Sequence, residues 1–237
     1  MARPRKRHVQ QEMTFRTHGG ARKGAGRPSK GRCAGQPHVR RPQVRASQPV
    51  HVTLRVARDI RQLRTRDLYR AIRRATLVVA RRADFRIVHL SIQHDHVHFI
   101  AEADGRMELS RGVRAFEISA ARQINRVFSS RTGSVFPDRY HARILNSPNS
   151  TRYAICYVLN NWLKHGEDAA PLLRDFEIDP FSSAISFTGW RELANRSTLW
   201  RPPPTYEPLC VQRPQSWLLS IGWQRAGTIS MRDIPSS

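Results

Sequence analysis

The sequence predicts an α+β fold, a four-stranded antiparallel sheet with two helices on one face. Three observations carry this. β-Branched segments with two-residue alternation stand near residues 50–57, 85–92 and 96–103. Two long amphipathic segments, arginine-rich on one side, fall between and after them. The link between the second and third strands is too short for anything but a hairpin.

Each element has its own warrant. "PVHVTLRV" alternates and gives the first strand. The segment "TRDLYRAIRRATLVVARRA" repeats Leu68, Ile72, Ala75 and Val79 at helical spacing, which predicts a helix over 66–82 with Thr65 as its N-cap. "FRIVHLSI" and "HVHFIAEA" form the hairpin, and Asp104-Gly105 marks a turn after it. Leu109, Val113, Phe116, Ala120, Ile124 and Val127 share one side of a second long helix. "YHARILN" is a fourth strand, over 139–146. Ser147-Pro148 then caps a third helix that runs over 149–165 and stops at Gly166. The order β-α-β-β-α-β is the split βαβ, ferredoxin-like arrangement, with a tyrosine-bearing helix added at its end.

Composition divides the chain into three parts. Residues 1–48 are rich in Gly, Pro, Arg and Lys and hold almost no large apolar residue, so a disordered basic arm is expected. Residues 49–166 form the domain just described. Residues 167–237 are an irregular extension with the proline-rich "RPPPTYEP" and Trp190, Trp200, Trp217 and Trp223, expected to pack as a small satellite cluster.

Charge points to a polyanion. The net charge is +23, with 34 basic and 10 acidic residues in 1–166 against 7 and 8 in 167–237. Nucleic acid is the first candidate, because neutralised phosphates release counterions. Cys33, Cys156 and Cys210 are too widely spaced for a disulfide framework or a zinc knuckle, which fits a reducing, cytoplasmic location. "MARPRKRHVQQ" has no apolar stretch behind it, so no secretory signal is expected, and no apolar run is long enough for a transmembrane helix.

The chemistry concentrates in two places. "SIQHDHVHFIAEA" sets His94, His96 and His98 at every second position. His96 and His98 share one strand face, a natural half of a metal site, while His94 falls at the hairpin link as an outer or DNA contact. The other reading is a solvated polar face with no chemistry. The third helix carries "RYAICYVLNNWLKHG", in which Tyr157 and Asn161 are one turn apart and Tyr153 lies one turn earlier. A Tyr-x-x-x-Asn pair lets an amide oxygen complete a metal site while the phenol approaches the same centre. The competing reading is an amphipathic core helix. Arg139, His141 and Arg143 alternate along the fourth strand, Arg55 and Arg58 stand near the first, and Arg27 lies in the "GRP" of the arm. All are candidate DNA contacts.

"HVH" on a strand, then "YVLNN" on a helix, in a basic chain with this element order, resembles the HUH single-tyrosine transposases. Among them it is similar to the REP-associated tyrosine transposases and the short transposases of bacterial insertion sequences. The resemblance spans Pro49 to His165 and includes "VFPDRYHARIL". It implies that His96 and His98 are paired metal ligands, that Asn161 completes the site and that Tyr157 is the nucleophile. It also implies Mg²⁺ or Mn²⁺ as cofactor, single-stranded or hairpin DNA as substrate, a 5′-phosphotyrosine intermediate and a nucleoid location. Whether the tyrosine serves its own subunit or the partner in a homodimer stays open. Asp95 stands where relatives often have Asn, and Trp162 where many have proline. Two rival functions remain. A histidine-triad nucleotide hydrolase would use "HDHVHFI", although Asp95 fills an apolar slot. A non-catalytic, domesticated DNA-binding protein would account for the charge alone.

Overall fold

The computed structural model describes residues 42–60, 62–129, 131–167 and 176–235. The expected arm, with Arg27, falls almost wholly outside them. Its last residues pack against the domain: Val44 is buried and Arg45 bridges Gly105.

The elements follow the expected order. They are β1 (Val50–Arg55), α1 (Arg66–Val79), β2 (Phe85–Ile92), β3 (His96–Ala103), α2 (Arg106–Val127), β4 (His141–Ile144) and α3 (Pro148–Lys164). The strands form one antiparallel sheet in the order β2-β3-β1-β4. This is the split βαβ topology.

Local chemistry sets the boundaries. The Leu68 N–H donates to Thr65 Oγ1 (3.4 Å) at the start of α1. Ser147 and Ser150 form a reciprocal capping box at α3, with Pro148 in its first turn. Gly166, at φ 67°, takes the left-handed conformation that ends α3. Gly112 lets α2 lie against β2, since a Cβ there would stand 2.1 Å from the Phe85 ring. β4 is shorter than expected at both ends.

Two cores lie on opposite sides of the sheet. Val52, Leu54, Val97 and Phe99 point to one side and pack with Leu68, Ile72, Val113 and Phe116 of α1 and α2. Val88 and Ile100 point to the other and pack with Ile155, Val158 and Leu159 of α3. Residues from the extension complete this second core: Trp190, Trp223, Ile229 and Met231. Among its described residues the extension contributes one short α-helix, α4 (Trp217–Ser220), and 3₁₀ turns.

Polar links hold the extension in place. Asn160 Nδ2 donates to the Ser230 and Asp233 carbonyls (2.9 Å each). The buried Glu102 carboxylate accepts the N–H groups of Gln215 (2.9 Å) and Ser216 (2.8 Å) at the start of α4. Buried Arg64 donates to both Asp179 oxygens (3.1 and 2.8 Å) and to the Ile92 carbonyl (2.9 Å), just before the histidine hairpin.

Candidate active site

Strand alternation puts His96 and His98 on the sheet face away from α1 and α2. Their rings lie 4.5 Å apart, nearly perpendicular. Asp95 fixes His96: its Oδ1 stands 2.6 Å from Nδ1, and Arg55 lies 3.7 Å from its other oxygen. This leaves Nε2 of His96 for other use. Burial lowers the His96 pKa, and Asp95 offsets part of that effect.

The strand register supplies what the sequence did not reveal. β1 pairs Thr53 with His98, and the two side chains meet, Thr53 Oγ1 to His98 Nδ1 at 3.1 Å. His51, two residues earlier on the same face, places Nε2 at 3.2 Å from the same Nδ1. His98 is buried, and its Nε2 has no hydrogen-bond partner among the described residues. Burial, then the neighbouring His96, His51 and His165, push its pKa well below the usual imidazole value. Both strand histidines are therefore neutral near pH 7, with a lone pair to give.

Helix α3 brings its stripe across this cluster. The Tyr157 ring lies 5.1 Å from that of His98 and 5.7 Å from that of His51. One turn earlier Tyr153 stacks on Tyr157 at 6.3 Å, and Lys164 Nζ stands 5.5 Å from the Tyr157 ring. Burial, then Tyr153, raises the Tyr157 pKa, so the phenol keeps its proton at neutral pH. Two turns beyond Tyr157, His165 approaches His96 at 6.4 Å. Asn161 is the residue between, one turn from each. It is wholly buried, and neither its Oδ1 nor its Nδ2 has a hydrogen-bond partner among the described residues. Leaving such atoms unpaired costs about 1–3 kcal/mol each.

The candidate DNA contacts separate. His141 and Arg143 pair with Thr53 and His51 across the sheet, are exposed, and edge the histidine face. His51 feels them: burial first, then His141 and Arg143, lower its pKa to about 4. Arg139 lies elsewhere. β4 begins only at His141, so the alternation does not reach it, and Arg139 lines a groove with Arg114 and Tyr140 beside α2. His94 is exposed at the hairpin link, and its carbonyl accepts from the Leu63 N–H (2.9 Å). The third imidazole of the cluster is thus His51 rather than His94. Trp162 is buried and lines a cavity with Phe176 and Met231 of the extension.

Residues 46–161 match the family model described as "Transposase IS200 like". Through this segment the chain belongs to the IS200-like, single-tyrosine transposases. Among solved structures, the transposase is similar to a REP-associated tyrosine transposase bound to a REP hairpin, with TM-score 0.51 and 19% identity, over 76% of this chain and 100% of that one. This likeness shows a shared fold. Two further matches are a bacterial tRNA(His) guanylyltransferase-like protein with GTP and with ATP, each at TM-score 0.39, with 12% and 13% identity over 56% and 57% of this chain and 71% and 69% of theirs. No curated protein matches the transposase in sequence. No helix among the described residues is long and apolar enough to cross a membrane.

The donor set fits a divalent cation. Among the described residues no three His, Cys, Asp or Glu side chains form a metal cluster. Two neutral imidazoles and one amide oxygen are nonetheless ligands that Mn²⁺ or Mg²⁺ accepts while keeping open positions. The orphaned His98 Nε2 and Asn161 Oδ1 are atoms that such an ion would satisfy.

Proposed function

We propose that the transposase cleaves and rejoins single-stranded DNA beside a hairpin, with Tyr157 as nucleophile. The observation that carries this is the meeting of Tyr157 with His98 at 5.1 Å, next to the unpartnered His98 Nε2 and Asn161 amide. The tyrosine meets histidines of its own chain, which favours action in cis. The REP hairpin bound by the similar transposase supports hairpin DNA as the ligand class.

His96, His98 and Asn161 would hold the cation. Bound there, Mg²⁺ or Mn²⁺ would polarise a phosphate oxygen and offset charge developing at phosphorus. The chain's own residues do the rest. Asp95 accepts a hydrogen bond from His96 Nδ1–H and turns Nε2 toward the site. Thr53 and His51 do the same for His98: with Nδ1–H donating to them, Nε2 keeps its lone pair. Tyr157 attacks the phosphate in line. The Tyr157 Oη–P bond forms, the P–O3′ bond breaks, the phenolic proton leaves to solvent, and the 3′-oxygen takes up a proton. The products are a 5′-phosphotyrosine and a free 3′-hydroxyl. The phosphotyrosine stores the bond, so a 3′-hydroxyl from the same or another strand reverses the step without ATP. Exposed His141 and Arg143 contact the incoming backbone.

Incubation with labelled hairpin DNA carrying unpaired flanks, with Mn²⁺ or Mg²⁺, tests this. A protein–DNA adduct should form and should vanish in Tyr157→Phe. An adduct that persists in that variant rules out the nucleophile. Cleavage of small nucleotides without metal would instead favour the histidine-triad reading, which the exposed position of His94 opposes.

A further inference from the structure

The extension seals the outer edge of β2 at two places and leaves a gap between them. At one end Ile92 N–H donates to the Phe181 carbonyl (2.9 Å), and Ser183 N–H to the Leu90 carbonyl (2.7 Å). At the other, Gln212 N–H donates to the Ile87 carbonyl (2.8 Å). Between Ile87 and His89 the β2–β3 register shifts, a bulge, and there a cavity of about 640 Å³ opens. Bulges re-aim side chains, and an unsealed strand edge is a liability that proteins normally cover.

His89 lines this cavity. It is only 7% exposed. Its ring meets Phe187 edge to face at 5.4 Å. Phe187 and Trp223, 5.6 Å apart, give the cavity an aromatic wall. Gln212, Gln224 and the exposed Arg213 also line it, and among the described residues no acidic side chain does.

We infer that this cavity receives one unpaired base of the DNA on which the transposase acts, an inference that rests on the DNA reading above. Aromatic walls suit a flat heterocycle. An imidazole and two amides offer donors and acceptors to a base edge. Arg213 meets the attached phosphate. A free nucleotide has the same chemistry. The strand is favoured because the chain carries a net charge of +23, and because His89 shares the sheet face of His98 through the pairs His89–Ile100 and Ser91–His98.

The test uses the full-length protein and hairpin DNA with 5-iododeoxyuridine placed at each unpaired position in turn. After irradiation, one position should crosslink to a peptide containing His89, Phe187 or Trp223. Crosslinks confined to β4, α3 and the His96 peptide would overturn the inference. His89→Leu and Gln224→Ala should each weaken binding of the flanked hairpin, His89→Leu by about fivefold or more, and leave a flankless hairpin unaffected. Unchanged affinity in both variants, with the Tyr157 adduct intact, would overturn the cavity's role alone. Loss of the adduct in the unmodified protein would instead strike the transposition chemistry. A deoxynucleoside monophosphate binding as tightly as the strand would overturn the assignment to DNA.

Discussion

The two faces of the sheet are built on opposite terms. The face toward α1 and α2 is closed and apolar: Val52, Leu54, Val97 and Phe99 meet Leu68, Ile72, Val113 and Phe116. The face toward α3 is mixed. Ile100 and Val88 join the second core, while His51, His96, His98, Tyr157 and Asn161 gather beside them. The first face maximises burial. The second holds buried polar atoms unpaired, at a cost in stability, and recruits the extension to keep α3 seated. The difference is what supports the proposed site: the half that departs from good packing is the half to which the proposal assigns the chemistry.

Perturbing each face should give opposite signatures. The largest expected effect on stability is on the closed face, where Phe116→Ala should cost about 3–5 kcal/mol in chemical denaturation. It should leave Mn²⁺ affinity of the folded fraction unchanged. Breaking the Arg64–Asp179 pair with Asp179→Ala should come next, at about 3–5 kcal/mol, because a buried guanidinium loses its carboxylate. That variant should also loosen the histidine hairpin, visible as faster amide exchange near Ile92. On the open face, His51→Ala should weaken Mn²⁺ binding about 10–100-fold, measured by electron paramagnetic resonance, by releasing the orientation of His98. His51→Gln, which retains an acceptor, should recover part of it. The smallest change is Thr65→Ala, about 1 kcal/mol from loss of the α1 cap and nothing in metal binding.

Acidity distinguishes the faces as well. The unfolded chain protonates His89 near 6.5, whereas burial lowers the folded value to about 4. The unfolded state then binds more protons in this window, so stability falls as pH drops from about 6.5 toward 4. His89→Leu should flatten part of that slope in denaturation series at successive pH values. A variant with an unaltered slope would show that His89 is not a source of it.

Much of the fold was legible because its signals are local. Thr65, Ser147-Pro148 and Gly166 marked helix ends correctly, and alternation marked β1, β2 and β3. That His96 and His98 share a strand face, and Tyr157 and Asn161 a helix face, was legible because each pair lies on one element with a fixed period. His51 was not. It alternates with Thr53 and Arg55 in "HVTLR", a visible polar face, but its meeting with His98 depends on the β1–β3 register, which is a tertiary property. Arg139 was grouped with His141 and Arg143 because alternation was extended past the strand's true start. The extension was read as a satellite cluster, since nothing in an irregular, proline-containing segment reveals what it packs against. Trp190 and Trp223 in fact complete the second core.

The central claim is that the unpaired Asn161 amide is kept for a cation and not for packing. One paired measurement on Asn161→Leu tests it: unfolding free energy and Mn²⁺ affinity. Leucine has the same branching and no polar atom to strand. The account predicts stability equal to or above that of the unmodified protein, with Mn²⁺ binding and adduct formation lost. A variant that loses stability by about 2 kcal/mol or more while binding Mn²⁺ normally would contradict it.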